Sequence, residues 1–178
     1  MPLLTAADST VLVIDLQEKL LTAIHEHDAL LGRVVRFVQG AKACHVPVVA
    51  TEHWPEKIGA THPELAPHLD TIIGKTHFDA AREEAVLNAL PPERKRVLVV
   101  GAEAHICVLQ TALTLASKGF QPVLVVDGIG SRLDSSRQAA LQRWQQHGFE
   151  AVTMEMALFE WLETPANPAF KAILPLVK

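Results

Sequence analysis

The chain has 178 residues, which suits one domain spanning 1–178 and is long enough to bury a substantial core. Hydrophobic residues make up 49% and charged residues 20%, a globular rather than a disordered composition. The formal net charge of −4, without a basic run, argues against nucleic acid as the main partner, and no apolar run approaches the roughly 20 residues of a membrane helix. The opening MPLLTAADST has neither a charged leader nor a long apolar segment. Two distant cysteines, Cys44 and Cys107, lack zinc spacing and read as free thiols, so the expected compartment is reducing and cytoplasmic.

In chain order, residues 11–14 are a β-branched run ending at Asp15, a buried first strand. Residues 16–21 read as a loop or short turn. Residues 27–45 carry Leu30, Leu31, Val34, Val35, Val38 and Ala41 at helical spacing, and Pro47 stops that helix. Residues 46–50 form a second strand. The Pro-, His- and Gly-rich stretch 51–69 has little periodicity and reads as a long functional or mobile loop. A short strand, 71–73, leads to Gly74 and Lys75, and a helix over 80–90 ends at Pro91-Pro92.

The stretch 97–115 organises the rest: a buried strand (97–100), a sharp turn at Gly101, and a helix from near Ala104 towards Ser117. Cys107 falls in its first turn. There the helix dipole and unpaired N–H groups favour a thiolate, although a packing role would also suit a small apolar residue. A strand at 122–126 ends at Asp127. A helix at 135–147 follows, with Asp134 or Ser135 as N-cap and Gly148 as C-cap. The last strand is 149–153, then come a short helix at 156–162 and a final helix at 165–178 packing Phe170, Ile173 and Leu174 inward.

Short apolar strands alternating with helices predict an α/β, three-layer fold with a parallel sheet flanked by helices. Ligands in such sheets bind at the carboxyl ends of the strands. Asp15, Thr51, Glu52, His53, Lys75, the 101–107 turn and Asp127 all fall at that edge. Asp15 could take a proton from Cys107, Lys75 could steady the resulting charge, and the turn offers N–H groups to an oxyanion. Trp54, Phe78 and His105 are candidate walls of a substrate pocket. Cys44, at a helix end, reads as structural. No GxGxxG or Walker loop is present, so no cofactor is expected.

The residues carry a family resemblance. VLVIDLQEKL, IGKTHFDA, VVGAEAHICVLQTAL, VVDGIGSR and the late ALFEWL with NPAFKAI resemble motifs of the isochorismatase-like cysteine hydrolase superfamily, to which nicotinamidases belong, and closely the isochorismatase domain-containing subgroup. The resemblance implies a Rossmann-like α/β fold with a six-stranded parallel sheet and a triad of Asp15, Lys75 and Cys107. It also implies a cis peptide between Ala102 and Glu103, with the N–H groups of Glu103 and Cys107 forming the oxyanion site. Nicotinamidases carry an Asp-x-His metal motif where this chain has Thr51-Glu52-His53-Trp54. No metal is therefore expected; Glu52, His53 and His62 are the residues that could hold one.

The reading favours hydrolysis of a small amide or related C–N bond, by a homo-oligomer of dimer size or larger acting on a small molecule. Alternatives are isochorismatase-type ether hydrolysis, or a non-catalytic scaffold that oligomerises through Ile129, Leu158, Phe159 and Trp161.

Overall fold

The computed structural model describes residues 3–178. Six strands lie in one sheet of order β3-β2-β1-β4-β5-β6, every recorded pair parallel. They are β1 (Ser9–Ile14), β2 (Val48–His53), β3 (Thr71–Lys75), β4 (Arg96–Ala102), β5 (Gln121–Gly130) and β6 (Ala151–Val152). The helices are α1 (Glu18–Leu21), α2 (His27–Ala43), α3 (Pro55–Ile58), α4 (Glu84–Ala89), α5 (Leu109–Ser117), α6 (Asp134–Gln146), α7 (Met154–Leu162) and α8 (Phe170–Ile173). None is long and apolar enough, among the described residues, to cross a membrane.

The central strands β1 and β4 are buried on both faces, and their alternate side chains feed two separate cores, whereas the edge strand β3 is largely exposed. Val11, Val13, Leu98 and Val100 pack with α2 and α7 on one face. Leu12, Ile14, Val97 and Val99 pack with α5 and α6 on the other. This three-layer architecture is the expected one.

Several boundaries differ from expectation, each for a local reason. β2 runs on to His53 because its end pairs with β3, His53 lying opposite Lys75. The segment after it holds α3 and a 3-10 turn at Ala66–His68 rather than a bare loop, and α1 occupies the expected loop at 16–21. The helix expected over 80–90 is broken: a 3-10 turn, Ala80–Arg82, precedes α4, with Glu83 extended between them. The helix expected from Ala104 starts as a wide π turn, Ala104–Val108, before α5. α6 is capped by neither Asp134 nor Ser135; its N-cap is Leu133. β5 continues past Val126 to Gly130 through a register shift against β4, and β6 keeps only two residues. The final helix shrinks to α8 and a 3-10 turn, Leu174–Leu176, because Pro165, Pro168 and Pro175 interrupt it. Ile173 is buried there, Phe170 only partly, and Leu174 is exposed.

The proposed interface residues are also displaced. Ile129, Leu158 and Trp161 belong to the cores, and of the four only Phe159 is exposed.

Candidate active site

The strand order reverses between β1 and β4, and such a switch point opens a crevice at the carboxyl edge. Asp15 leaves β1 on one side of it. Its backbone is left-handed (φ 52), a conformation aspartate tolerates better than most residues, and its N–H donates to Thr51 O at 3.1 Å. The carboxylate is wholly buried. Oδ1 accepts from Thr51 Oγ1 at 2.7 Å, and Oδ2 lies 2.7 Å from Lys75 Nζ. Oδ2 is thus held in a fully buried ion pair, and the Cys107 thiol lies within hydrogen-bonding reach of the same carboxylate.

Lys75 ends β3, and its side chain is also fully buried. Nζ donates to the carbonyls of His77 at 3.0 Å and Phe78 at 3.3 Å, and lies 3.4 Å from His53 Nδ1. An ammonium has no lone pair, so Nδ1 is the acceptor and the imidazole proton is assigned to Nε2. Burial, and then the charge of Lys75, push the His53 pKa down, which keeps the ring neutral. That ring stacks on Phe78 with centroids 5.1 Å apart.

Cys107 approaches from the other side of the crevice. The Ala102–Glu103 peptide is cis, and the Glu103 carbonyl accepts from both Ile106 N (3.0 Å) and Val108 N (3.2 Å), which shapes the π turn around the thiol. Cys107 is buried. Its pKa is pushed up to about 12, first by burial and then by the negative charge of Asp15, with Lys75 pulling the other way. This corrects the expected thiolate. The regular helix begins only at Leu109, and desolvation outweighs what the positive helix end supplies. The resting group is a thiol beside a carboxylate.

Asp15 and Cys107 line a cavity of about 370 Å³, and Lys75, ion-paired to Asp15, stays off its wall. Leu20, Ala23, Ile58, Phe78 and Ile106 give it apolar walls; Asp15, His53, Glu103 and Cys107 are polar; Lys19 and Arg132 add positive charge. Glu103 is buried, and its Oε2 accepts from Arg132 N at 3.2 Å and Arg132 Nε at 3.1 Å. A somewhat larger cavity of about 430 Å³, beside Arg33, Asp127 and Arg137, contains none of the triad. Its two arginines donate to backbone carbonyls of β5.

Of the expected walls, Phe78 lines the cavity while Trp54 and His105 do not. The pleat of β2 turns Thr51 and His53 to one side and Glu52 to the other, so His53 stands where Trp54 was expected. Trp54 instead lies under Lys57 Nζ, 3.8 Å from its ring centroid. The π turn directs Ile106 and Cys107 to the cavity, and His105 Nδ1 pairs with Ser131 Oγ at 3.0 Å.

The three residues named for a metal are engaged in other contacts. Glu52 Oε1 accepts from Thr61 N and Oγ1, His53 Nδ1 faces an ammonium, and His62 Nδ1 accepts from Glu64 N. Among the described residues no group of three or more potential ligands converges. Sequence reasoning missed Leu20, Ile58, Arg132 and the structural role of Gln17, whose amide bridges β1 to β2 through both the N–H and the carbonyl of His53. A signal existed for Arg132 in VVDGIGSR, but nothing local tied it to Glu103.

The isochorismatase domain model matches residues 9–156. Isochorismatase domain-containing protein 2 of Rattus norvegicus is 33% identical over 171 residues, covering 96% of this chain and 81% of the relative. Among solved structures, the MAR1 ribonuclease from Caenorhabditis elegans matches with a TM-score of 0.93 at 30% identity, over 99% of this chain and 92% of that one. The ycaC gene product from Escherichia coli, an octameric hydrolase of unknown specificity, matches in fold with a TM-score of 0.92 at 23% identity, over 99% and 91%.

Proposed function

The chain belongs to the isochorismatase family, and from that membership we propose a cysteine-dependent hydrolase of a small amide or related C–N bond. One observation carries the reading. The Cys107 thiol and the Asp15 carboxylate line one small cavity within hydrogen-bonding reach of each other, and the Lys75 ammonium is ion-paired to that carboxylate. A buried carboxylate in contact with a thiol is placed to take its proton.

Because the thiol holds its proton at rest, attack and proton transfer go together. Sγ bonds to the substrate carbonyl carbon as Asp15 Oδ2 takes the thiol proton. The carbonyl oxygen becomes an oxyanion facing the N–H groups of Glu103 and Cys107. Asp15 returns the proton to the departing amine as the C–N bond breaks, leaving a thioester. Water then adds to the thioester carbonyl, Asp15 accepts its proton, and the tetrahedral species expels Sγ, which recovers a proton from Asp15. The balance is amide plus water to carboxylic acid plus amine. Lys75 stays charged throughout and offsets the negative charge passing between Asp15 and sulfur. The cavity volume suits a small molecule with an apolar body. A net charge of −4 gives no field to draw a polyanion such as RNA. We place the enzyme in a homo-oligomer, as the E. coli neighbour is.

The test is ammonia release from a panel of small primary amides. Wild type turns over at least one of them, and Cys107→Ala and Cys107→Ser are both reduced to background. A near-normal rate in either variant sinks the thioester route.

A further inference from the structure

Beyond the triad, we propose that Glu83 is a positioning residue that sets the location of the Lys75 ammonium. This inference rests on the hydrolase reading above.

Lys75 Nζ is fully desolvated, so it needs acceptors to replace water. Two of them are the carbonyls of His77 and Phe78, in the turn directly after β3. Those carbonyls hold the ammonium against Asp15 only while the turn keeps its shape.

A single carboxylate oxygen organises that turn. Glu83 Oε1 accepts from Thr76 N at 3.2 Å, His77 N at 3.3 Å and His77 Nδ1 at 2.9 Å. The far end of the turn is pinned separately. Asp79 Oδ2 accepts from Thr114 Oγ1 at 2.7 Å, and Ala80 N donates to Thr111 Oγ1 at 2.8 Å, both on the helix that follows Cys107. Glu83 is therefore the adjustable end. Its extended backbone interrupts what would have been one continuous helix over 80–90, and that break leaves the carboxylate free to reach back six and seven residues.

Glu83 touches neither the cavity nor the reacting atoms. Its influence runs through two features of one turn: the carbonyls on Lys75 and the Phe78 ring on the cavity wall. Loss of the carboxylate should let the ammonium withdraw from Asp15 and Cys107, while the core strands remain in place.

The experiment measures second-order alkylation of Cys107 by iodoacetamide at pH 8.5, which needs no substrate, together with the urea unfolding midpoint. Variants are Glu83→Ala, Glu83→Gln, Lys75→Met and Asp70→Ala. Asp70 is a structural control; it accepts from Val48 N and Lys42 at the opposite end of β2. We expect Lys75→Met and Glu83→Ala both to slow alkylation, the latter about tenfold, equivalent to one pKa unit in the thiol. Glu83→Gln retains an amide oxygen for the same three donors, so its rate should return to within about threefold of wild type. Asp70→Ala should lower the midpoint and leave the rate alone. A wild-type rate in Glu83→Ala, or equal slowing in Asp70→Ala at matched stability, overturns the positioning role. No change in Lys75→Met overturns the triad instead, so the two failures are distinguishable. Should Glu83→Ala not fold, a Glu83→Gln rate as low as that of Lys75→Met overturns the proposal by itself.

Discussion

A thiol held near pKa 12 leaves a thermodynamic trace that can be read without any substrate. The folded pKa is raised above the unfolded value of about 9.0. Below pH 9 both states keep the proton, so stability is fully present. Between about 9 and 12 the unfolded chain loses its proton first, and stability falls as pH rises. Urea unfolding between pH 9 and 11 should thus show a steeper decline for wild type than for Cys107→Ala; parallel curves would mean the thiol is not perturbed. Thr51 makes the matching case for the base. Its hydroxyl donates to Asp15 Oδ1 at 2.7 Å, and Val replaces it at nearly the same shape. Thr51→Val should cost roughly 1.5–3 kcal/mol, the value of a hydrogen bond to a charged group, and reduce kcat more than KM. Urea unfolding and amide kinetics check the two halves. Asp15, Lys75 and Cys107 were legible in the sequence as residue types at strand ends. Thr51 was legible as a position only, because its partner is 36 residues away.

Elements place these groups through a few unforgiving contacts. Gly101 ends the straight part of β4 at φ +120, and a Cβ there would run into the Ile14 carbonyl, one residue before Asp15. Gly101→Ala should destabilise the fold by more than about 3 kcal/mol and uncouple β4 from β1 at the site; chemical denaturation and Cys107 alkylation would both report it. A substitution tolerated at both readouts would deny the close approach. The strand–turn–helix here was readable, since a buried apolar run, a glycine and a helical pattern are local signals. The π turn and the broken 80–90 helix were not. The first rests on the Glu103 carbonyl accepting from two N–H groups and the second on the Glu83 carboxylate and a bond to Thr111, and helical periodicity carries no mark of either. β5 outran its expected end for a similar reason, because Gly101 and Ala102 supply partners at Ile129 and Gly130 after a register shift.

Across the whole molecule, the site lies at the carboxyl edge of the sheet, and part of the core lies far from it. The order β3-β2-β1-β4 puts Lys75 two strand spacings, roughly 10 Å, from the strand that carries Asp15, a gap crossed by the long lysine side chain. Convergence at this edge was inferable from the sequence because parallel strands all end on the same side. What the apolar pattern could not assign was which apolar residues face inward at the other end. Trp161 is the informative case. It was a candidate for an interface between copies, yet it is buried, stacked on Phe37 at 5.6 Å, with Nε1 donating to Ser9 Oγ at 3.0 Å. Ser9 begins β1, whereas Asp15 follows its end, on the order of 20 Å away. Truncation of such a residue to alanine costs about 3–5 kcal/mol through lost contacts and a residual cavity. Trp161→Ala should therefore lower stability by that amount and leave oligomer size unchanged. Below its melting range it should also alkylate Cys107 within about twofold of wild type, because additivity holds for distant sites. Lys75→Met should differ from it by changing thiol chemistry as well as stability, since it strands a buried carboxylate. Denaturation, light scattering and alkylation on the same two variants separate the cases, and an altered thiol rate in Trp161→Ala would show that core and site are coupled through β1.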